Sequence, residues 1–166
     1  EYVTEVRNGI DYFIKELDVN DLYREFMYLT DDFKDFKEEK VIEIIEAQRD
    51  RCKTIKEIID ESQFFLSDNF DIDEKLTSKF LTKNNEVIFD GLSKNLSDIK
   101  EWSLVNVKDA IDSIMRDLDL DLPGFAKPTR LALTGSLSSP SIDLTIYLLG
   151  KESCIKRFSA ARILIT

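Results

Sequence analysis

A chain of 166 residues with 43% apolar side chains can bury a core, as one domain or as two small ones, which argues against intrinsic disorder. It has no His, which removes His-dependent acid–base chemistry, Ser-His triads and His-containing zinc sites, and its two cysteines, Cys52 and Cys154, are too far apart for a disulfide framework or a metal cluster. The net charge of −10 argues against a nucleic-acid partner only when taken as a single number, because it is unevenly spread.

Five Gly and three Pro among abundant Glu, Asp, Lys, Leu and Ile favour an all-α fold. No run of about 18 apolar residues and no signal-peptide pattern occurs, so the chain reads as soluble and cytoplasmic, with no membrane partner. Its first residue is Glu1, which reads as the start of a fragment. Val3, Val6, Ile10, Phe13 and Leu17 recur at spacings of three and four and predict an amphipathic helix over Val3–Leu17. Asn20 is the expected N-cap of a helix reaching Leu29, and the charged stretch Asp31–Lys40 reads as a polar connection. The Ile-rich stretch Val41–Ala47 should be buried, with a break near Asp50–Thr54. Thr54 and Glu57 make a capping box that opens a helix burying Ile55, Ile58, Ile59 and Phe65. The acidic hinge Ser67–Asp71 marks a boundary between two small helical subdomains, residues 1–68 and 69–166.

In the second part Ile72, Leu76 and Phe80, and then Ile88, Leu92, Leu96 and Ile99, form core stripes. Leu104, Val107, Ile111, Ile114 and Leu118 step by three and four behind Ser103 as N-cap, with Trp102 as a packed anchor. Asp117, Asp119 and Asp121 lack the glycine and terminal Glu of a calcium loop and read as a solvated helix end. Phe64, Phe65 and Phe125 have the chemistry to stack on bases. Core burial is the stronger reading for one of the first two, whereas Phe125 falls in an expected loop.

The stretch Lys127–Arg157 differs in kind. Pro128 suits the first turn of a short helix, where its missing N–H is an orphan anyway, and Gly135 suits a left-handed end. Arg130 to Thr134 alternate polar and apolar as a strand would, but the Pro and Gly brackets decide for helix. Ser139 and Pro140 repeat the signature as N-cap and first residue before the apolar run from Ile142, which Gly150 stops. Residues 127–166 carry 6 Lys and Arg against 2 Asp and Glu, whereas residues 1–126 carry 17 against 31. A phosphate backbone would therefore meet favourable charge mainly in the C-terminal quarter. Arg130 supplies a planar donor fork suited to phosphate oxygens or base edges.

The string P-T-R-L-A-L-T-G at Pro128–Gly135, then S-S-P, L-L-G-K-E and K-R, resembles the C-terminal anticodon-binding region of bacterial class I glutamyl-tRNA synthetases. So does R-C-K-T-I-K-E-I at Arg51–Ile58 followed by Phe64 and Phe65, and the resemblance spans most of the chain. It implies a part of a glutamate–tRNA ligase that binds tRNA for glutamate and, in some enzymes, tRNA for glutamine. The family's catalytic signatures H-I-G-H and K-M-S-K-S are absent here, so ATP, magnesium and catalysis are implied for an N-terminal catalytic domain of the full-length chain, with no cofactor in this segment. Residue by residue, it implies that Arg130, Ser139, Pro140 and Ile142 face anticodon bases, with Ser139 standing where some members have Thr and Ile142 where Leu is found. A further base-reading arginine is implied on the first subdomain, Arg51 before Arg49. Lys127, Lys151, Lys156 and Arg157 are the candidates for the tRNA backbone, although Lys151, just after Gly150, equally suits a helix end. The alternative from another class is an acidic helical module that packs against a protein partner without RNA.

Overall fold

A computed structural model describes residues 14–165, and among them every regular element is helical. The chain divides between Ser67 and Asp68 into two compact units. The helix expected over Val3–Leu17 lies outside the described residues as far as Phe13, and Ile14–Leu17 forms a turn. Three helices follow in the first unit, α1 (Val19–Leu29), α2 (Glu38–Arg49) and α3 (Ile55–Glu61), with a 3-10 turn at Gln63–Phe65. α1 packs on both α2 and α3. Its cap is Asp18, whose carboxylate accepts from the Asn20 N–H at 2.9 Å, so the expected cap at Asn20 lies two residues late. An ionised acceptor satisfies an orphan helix donor more strongly than a neutral amide.

The stretch Asp31–Lys40 is less polar in its packing than its composition suggests. Phe33 is fully buried, edge-on to Phe26 with ring centroids 5.1 Å apart, and α2 already begins at Glu38. Thr54 caps α3 by accepting from the Glu57 N–H at 3.0 Å, while the Glu57 carboxylate accepts from the Lys53 N–H at 2.6 Å. The reciprocal bond is thus made one residue before the position a capping box would use. Ile55, Ile58, Ile59 and Phe65 are buried as expected, and Phe64 lies half-buried against Phe65.

The second unit contains α4 (Glu74–Phe80), a 3-10 turn at Lys83–Asn85, α5 (Glu86–Ser97), α6 (Leu104–Asp117), α7 (Leu122–Thr134), α8 (Ile142–Leu149) and α9 (Lys151–Ile163). α5 packs on α6 and α9, α6 on α8, and α7 on α8 and α9. Ile88, Leu92 and Leu96 of α5 meet Val107, Ile111 and Ile114 of α6 in one core, and Ile72, Leu76 and Phe80 lie half-buried against it. Ser103 caps α6 through the Asn106 N–H at 3.2 Å, and the Trp102 indole donates to the Tyr147 carbonyl at 3.1 Å.

α7 departs furthest from the sequence expectation. It starts at Leu122, not Pro128, because Asp121 accepts from the Gly124 N–H at 2.8 Å and Pro123 occupies the first turn. Pro128 therefore sits inside the helix, where it removes the bond to the Gly124 carbonyl and costs about 3 kcal/mol against an ordinary residue. Burial of Phe125, Ala126, Leu131, Ala132 and Leu133 on that helix offsets the loss. Phe125 is accordingly a core residue within a helix and not a loop aromatic.

Candidate nucleic-acid interface

The C-terminal end of α7 delivers the chain into a tight corner. Gly135 takes φ +73°, and its N–H returns to the Leu131 carbonyl at 2.8 Å, as expected of a left-handed cap. The hydroxyl of Thr134 then accepts from the Ser136 N–H at 3.2 Å and closes the turn. At the far side of the corner α8 begins at Ile142 behind Ser141, which makes no side-chain cap bond, so the expected cap and first residue at Ser139 and Pro140 are corrected by two positions.

Ser139 has a different task. Its Oγ accepts from Arg130 Nε at 2.8 Å and donates to the Pro140 carbonyl at 2.8 Å, while the Thr145 hydroxyl donates to that same carbonyl at 3.2 Å. The corner therefore orients the Arg130 guanidinium through a serine that is itself tied to backbone, an arrangement that limits the rotamer freedom a base contact would otherwise cost. Pro140 is buried beneath this network, so its expected role as a platform for a base is corrected: its ring does not face solvent.

Arg130, Lys127 and Ile142 come together along a groove of about 550 Å³ between α6, α7 and the start of α8. Ile111, Met115, Phe125 and Ile142 supply apolar lining; Lys108, Asp112 and Asp143 supply charge. Lys108 Nζ stands 3.6 Å from Asp143 Oδ2. The α6 residues were missed by sequence reading because the stripe Val107, Ile111 and Ile114 accounts for the core, while Lys108, Ile111, Asp112 and Met115 share a second face at the same helical spacing. That second series was the available signal.

The remaining cations separate sharply. Lys156 is exposed on α9, but its neighbour Arg157 is 2% exposed. Arg157 Nε donates to Asp68 Oδ1 at 3.0 Å, Nη1 donates to the Leu133 carbonyl at 2.6 Å, and the guanidinium lies 5.2 Å from the centre of the Phe70 ring. A phosphate cannot reach it without breaking this core, so the expectation of a backbone contact at Arg157 is corrected. Lys151 donates to the Ile99 carbonyl in the loop after α5 and lies 5.9 Å from the centre of the Trp102 ring, so its ammonium is engaged within the second unit, away from the end of the helix that Gly150 stops.

In the first unit Arg49 donates through Nη2 to the carbonyls of Ile14, Lys15 and Leu17 at 3.0, 2.9 and 2.6 Å, and through Nη1 to Glu46 at 2.9 Å. It is an internal clasp. Arg51 is exposed and hydrogen-bonded to Gln48. Burial pushes the nearby Cys52 thiol up to about 11 despite the opposing charge of Arg51, which leaves it a protonated, unreactive core group at neutral pH. Among the described residues no group of His, Cys, Asp and Glu could hold a metal ion, and no helix is long and apolar enough to cross a membrane.

Comparison with known families matches residues 8–162 to the anticodon binding domain. The chain belongs to that family. Over 122 residues it is 34% identical to the glutamate–tRNA ligase of Legionella pneumophila strain Corby, and over 118 residues 30% identical to that of Syntrophotalea carbinolica. These alignments cover 72% and 71% of this chain but 25% of each relative, so the chain spans about a quarter of their length. The fold resembles a glutamate tRNA ligase from Elizabethkingia meningosepticum, crystallised with its amino acid, at a TM-score of 0.81 and 22% identity over 91% of this chain and 30% of the other. The synthetase from Elizabethkingia anophelis superposes at 0.77, with the same identity and coverage. These structural likenesses carry the helical architecture, while the family match carries the anticodon-binding class.

Proposed function

We propose that this chain reads the anticodon loop of tRNA for glutamate, and of tRNA for glutamine where the full-length enzyme accepts it, as the anticodon-binding part of a glutamate–tRNA ligase. Attachment of glutamate with ATP and magnesium belongs, on this reading, to a catalytic domain of that enzyme. One observation carries the proposal: an oriented arginine, Arg130, borders an apolar groove with lysines at its rim, in a member of an anticodon-binding family. An unpaired base must find hydrogen bonds for its Watson–Crick edge and a surface for its face. Arg130 offers the donors, while Leu122, exposed at the start of α7, and the half-buried Met115 offer the surface. Lys108, Lys127 and Lys156 suit phosphates, which position the loop without specifying it. Of the two arginines in the first unit, Arg51 retains the base-reading proposal, because the guanidinium of Arg49 is occupied by backbone carbonyls.

The test is titration of a stem-loop carrying a glutamate anticodon, beside loops with altered anticodons, at several salt concentrations. Three phosphate contacts on a single-stranded loop predict a log–log salt slope of about −2, with the cognate loop bound more tightly than its variants. Absence of binding, or binding indifferent to both salt and anticodon, would favour the acidic protein-interaction module instead.

A further inference from the structure

We propose that Asp143 is the internal counterion of Lys108 and masks it as a phosphate contact, so that an RNA backbone gains little at this edge of the groove. Masking of this kind rests on the RNA reading above and acts on the backbone, not on the choice of base. Three lysines are assigned to phosphates. Among the described residues, Lys108 is the one of them with a carboxylate at ion-pair distance, its Nζ standing 3.6 Å from Asp143 Oδ2. The pair joins α6 to the first turn of α8, where both side chains line the groove.

The two partners are unlike. The Lys108 side chain is 56% exposed and ends a flexible stem, whereas that of Asp143 is 21% exposed and stands at a helix end that favours negative charge. A separation of 3.6 Å is too long for a hydrogen bond, so the ammonium can leave without breaking one. What it leaves behind is a carboxylate without its cation. An open lysine that meets a phosphate releases a condensed cation from the RNA and adds about 0.7 to the salt slope of a single strand. Lys108 starts out neutralised. If a phosphate takes it, Asp143 must draw a salt cation in its place; if it stays with Asp143, the phosphate keeps its own cation. Either way no net ion is released, and the slope of the parent falls about 0.7 short of the value for three open contacts. Asp112, one helical turn further along α6, is exposed to water, where salt screens its charge.

The experiment uses the full 166-residue chain and follows the fluorescence anisotropy of a labelled glutamate-anticodon stem-loop, and of the same loop with an altered anticodon, across a salt series. Asp143→Asn should tighten both loops about two- to fivefold, the worth of a partly exposed ion pair, and steepen the slope by about 0.7. Lys108→Met then separates masking from net charge. In the parent it should leave the slope nearly unchanged and weaken binding less than about twofold; in the Asp143→Asn background it should remove the whole gain in affinity and slope. Asp143→Glu, which retains the counterion, should keep the slope of the parent, and circular dichroism of each variant checks that its helices are intact. Asp112→Asn changes the net charge by the same amount and should leave the small cost of Lys108→Met as it is in the parent. If Lys108→Met flattens the slope equally in the parent and in Asp143→Asn, or changes it in neither, the masking is overturned while the RNA reading stands. If neither the parent nor Asp143→Asn binds a loop at any salt concentration, both fall together.

Discussion

Arg130 and Arg157 carry the same side chain in the same basic quarter of the chain, yet their surroundings give them opposite work. Arg130 is half-buried at the edge of a groove, with its Nε held by Ser139. Arg130→Lys keeps the charge but loses both this anchor and the planar fork. It should lose roughly 1–3 kcal/mol of discrimination between bases with little change in salt slope. If the lysine variant bound every loop like the parent, Arg130 would be a positioning charge and not a reader. Among the described residues Arg157 is instead the largest fully buried side chain, paired with Asp68 and bonded to the Leu133 carbonyl. Arg157→Ala strands a carboxylate and a carbonyl at once and should lower unfolding free energy by roughly 3 kcal/mol, short of the largest buried-pair losses because Asp68 keeps some solvent. Lys156→Ala, one residue away and exposed, should change stability by less than about 0.5 kcal/mol yet reduce the salt slope of loop binding by up to about one contact. Urea unfolding and salt titration of the two variants distinguish these roles, and equal effects on stability would contradict the burial difference.

At the scale of elements, α7 and the corner after it show what local signals convey. Gly135 was legible as a cap because few residues other than glycine hold φ +73° without strain. The structure adds a second reason: a Cβ there would lie 3.0 Å from Phe70 Cδ2 and 3.4 Å from the Asp71 carbonyl. Gly135→Ala should therefore destabilise by about 1–2 kcal/mol, to which backbone strain alone contributes on the order of 1 kcal/mol. Restoring the thermal midpoint with Phe70→Leu in the same chain would assign the remainder to the ring, and a failure to do so would assign it to the backbone. Pro128 misled for a physical reason. A proline signals a helix start when only local hydrogen bonds are counted, but the apolar residues on both sides of it gain more by staying helical than the lost bond costs. The start of α8 was misjudged for another reason: the Ser139 hydroxyl is engaged with Arg130 and the Pro140 carbonyl, and the helix begins behind Ser141 without a side-chain cap bond.

At the scale of the molecule, charge is segregated and one carboxylate links acid sensitivity to the second unit. Burial pushes the Asp68 carboxyl up, but hydrogen bonds from Arg157 and Ser153 and the positive charge of Arg157 outweigh it and hold the group below the usual carboxylate range. The unfolded chain then takes up this proton first as pH falls. The stability Asp68 contributes is therefore present above about pH 4 and drains away as pH drops through the lower folded value. Asp68→Asn should be less stable than the parent near neutral pH and approach it once the pH has fallen below the lowered folded value, as read from thermal melts at successively lower pH. A constant difference between the two at all pH values would show that another group controls the acid transition.

The helical class, the stripes of α5 and α6, the caps at Thr54 and Ser103 and the resemblance around Arg130 were all readable in the sequence, because each depends on residues within about one helical turn of one another. The first-unit clasp of Arg49, the burial of Arg157 and the groove face of α6 were not. Those outcomes depend on partners far along the chain: Ile14 for Arg49, Asp68 for Arg157, and Asp143 for Lys108. An arginine is an identical letter whether water or a carbonyl accepts its hydrogen bonds. Only packing removes the water, and with it the choice between a cation that greets a phosphate and one that holds the core together.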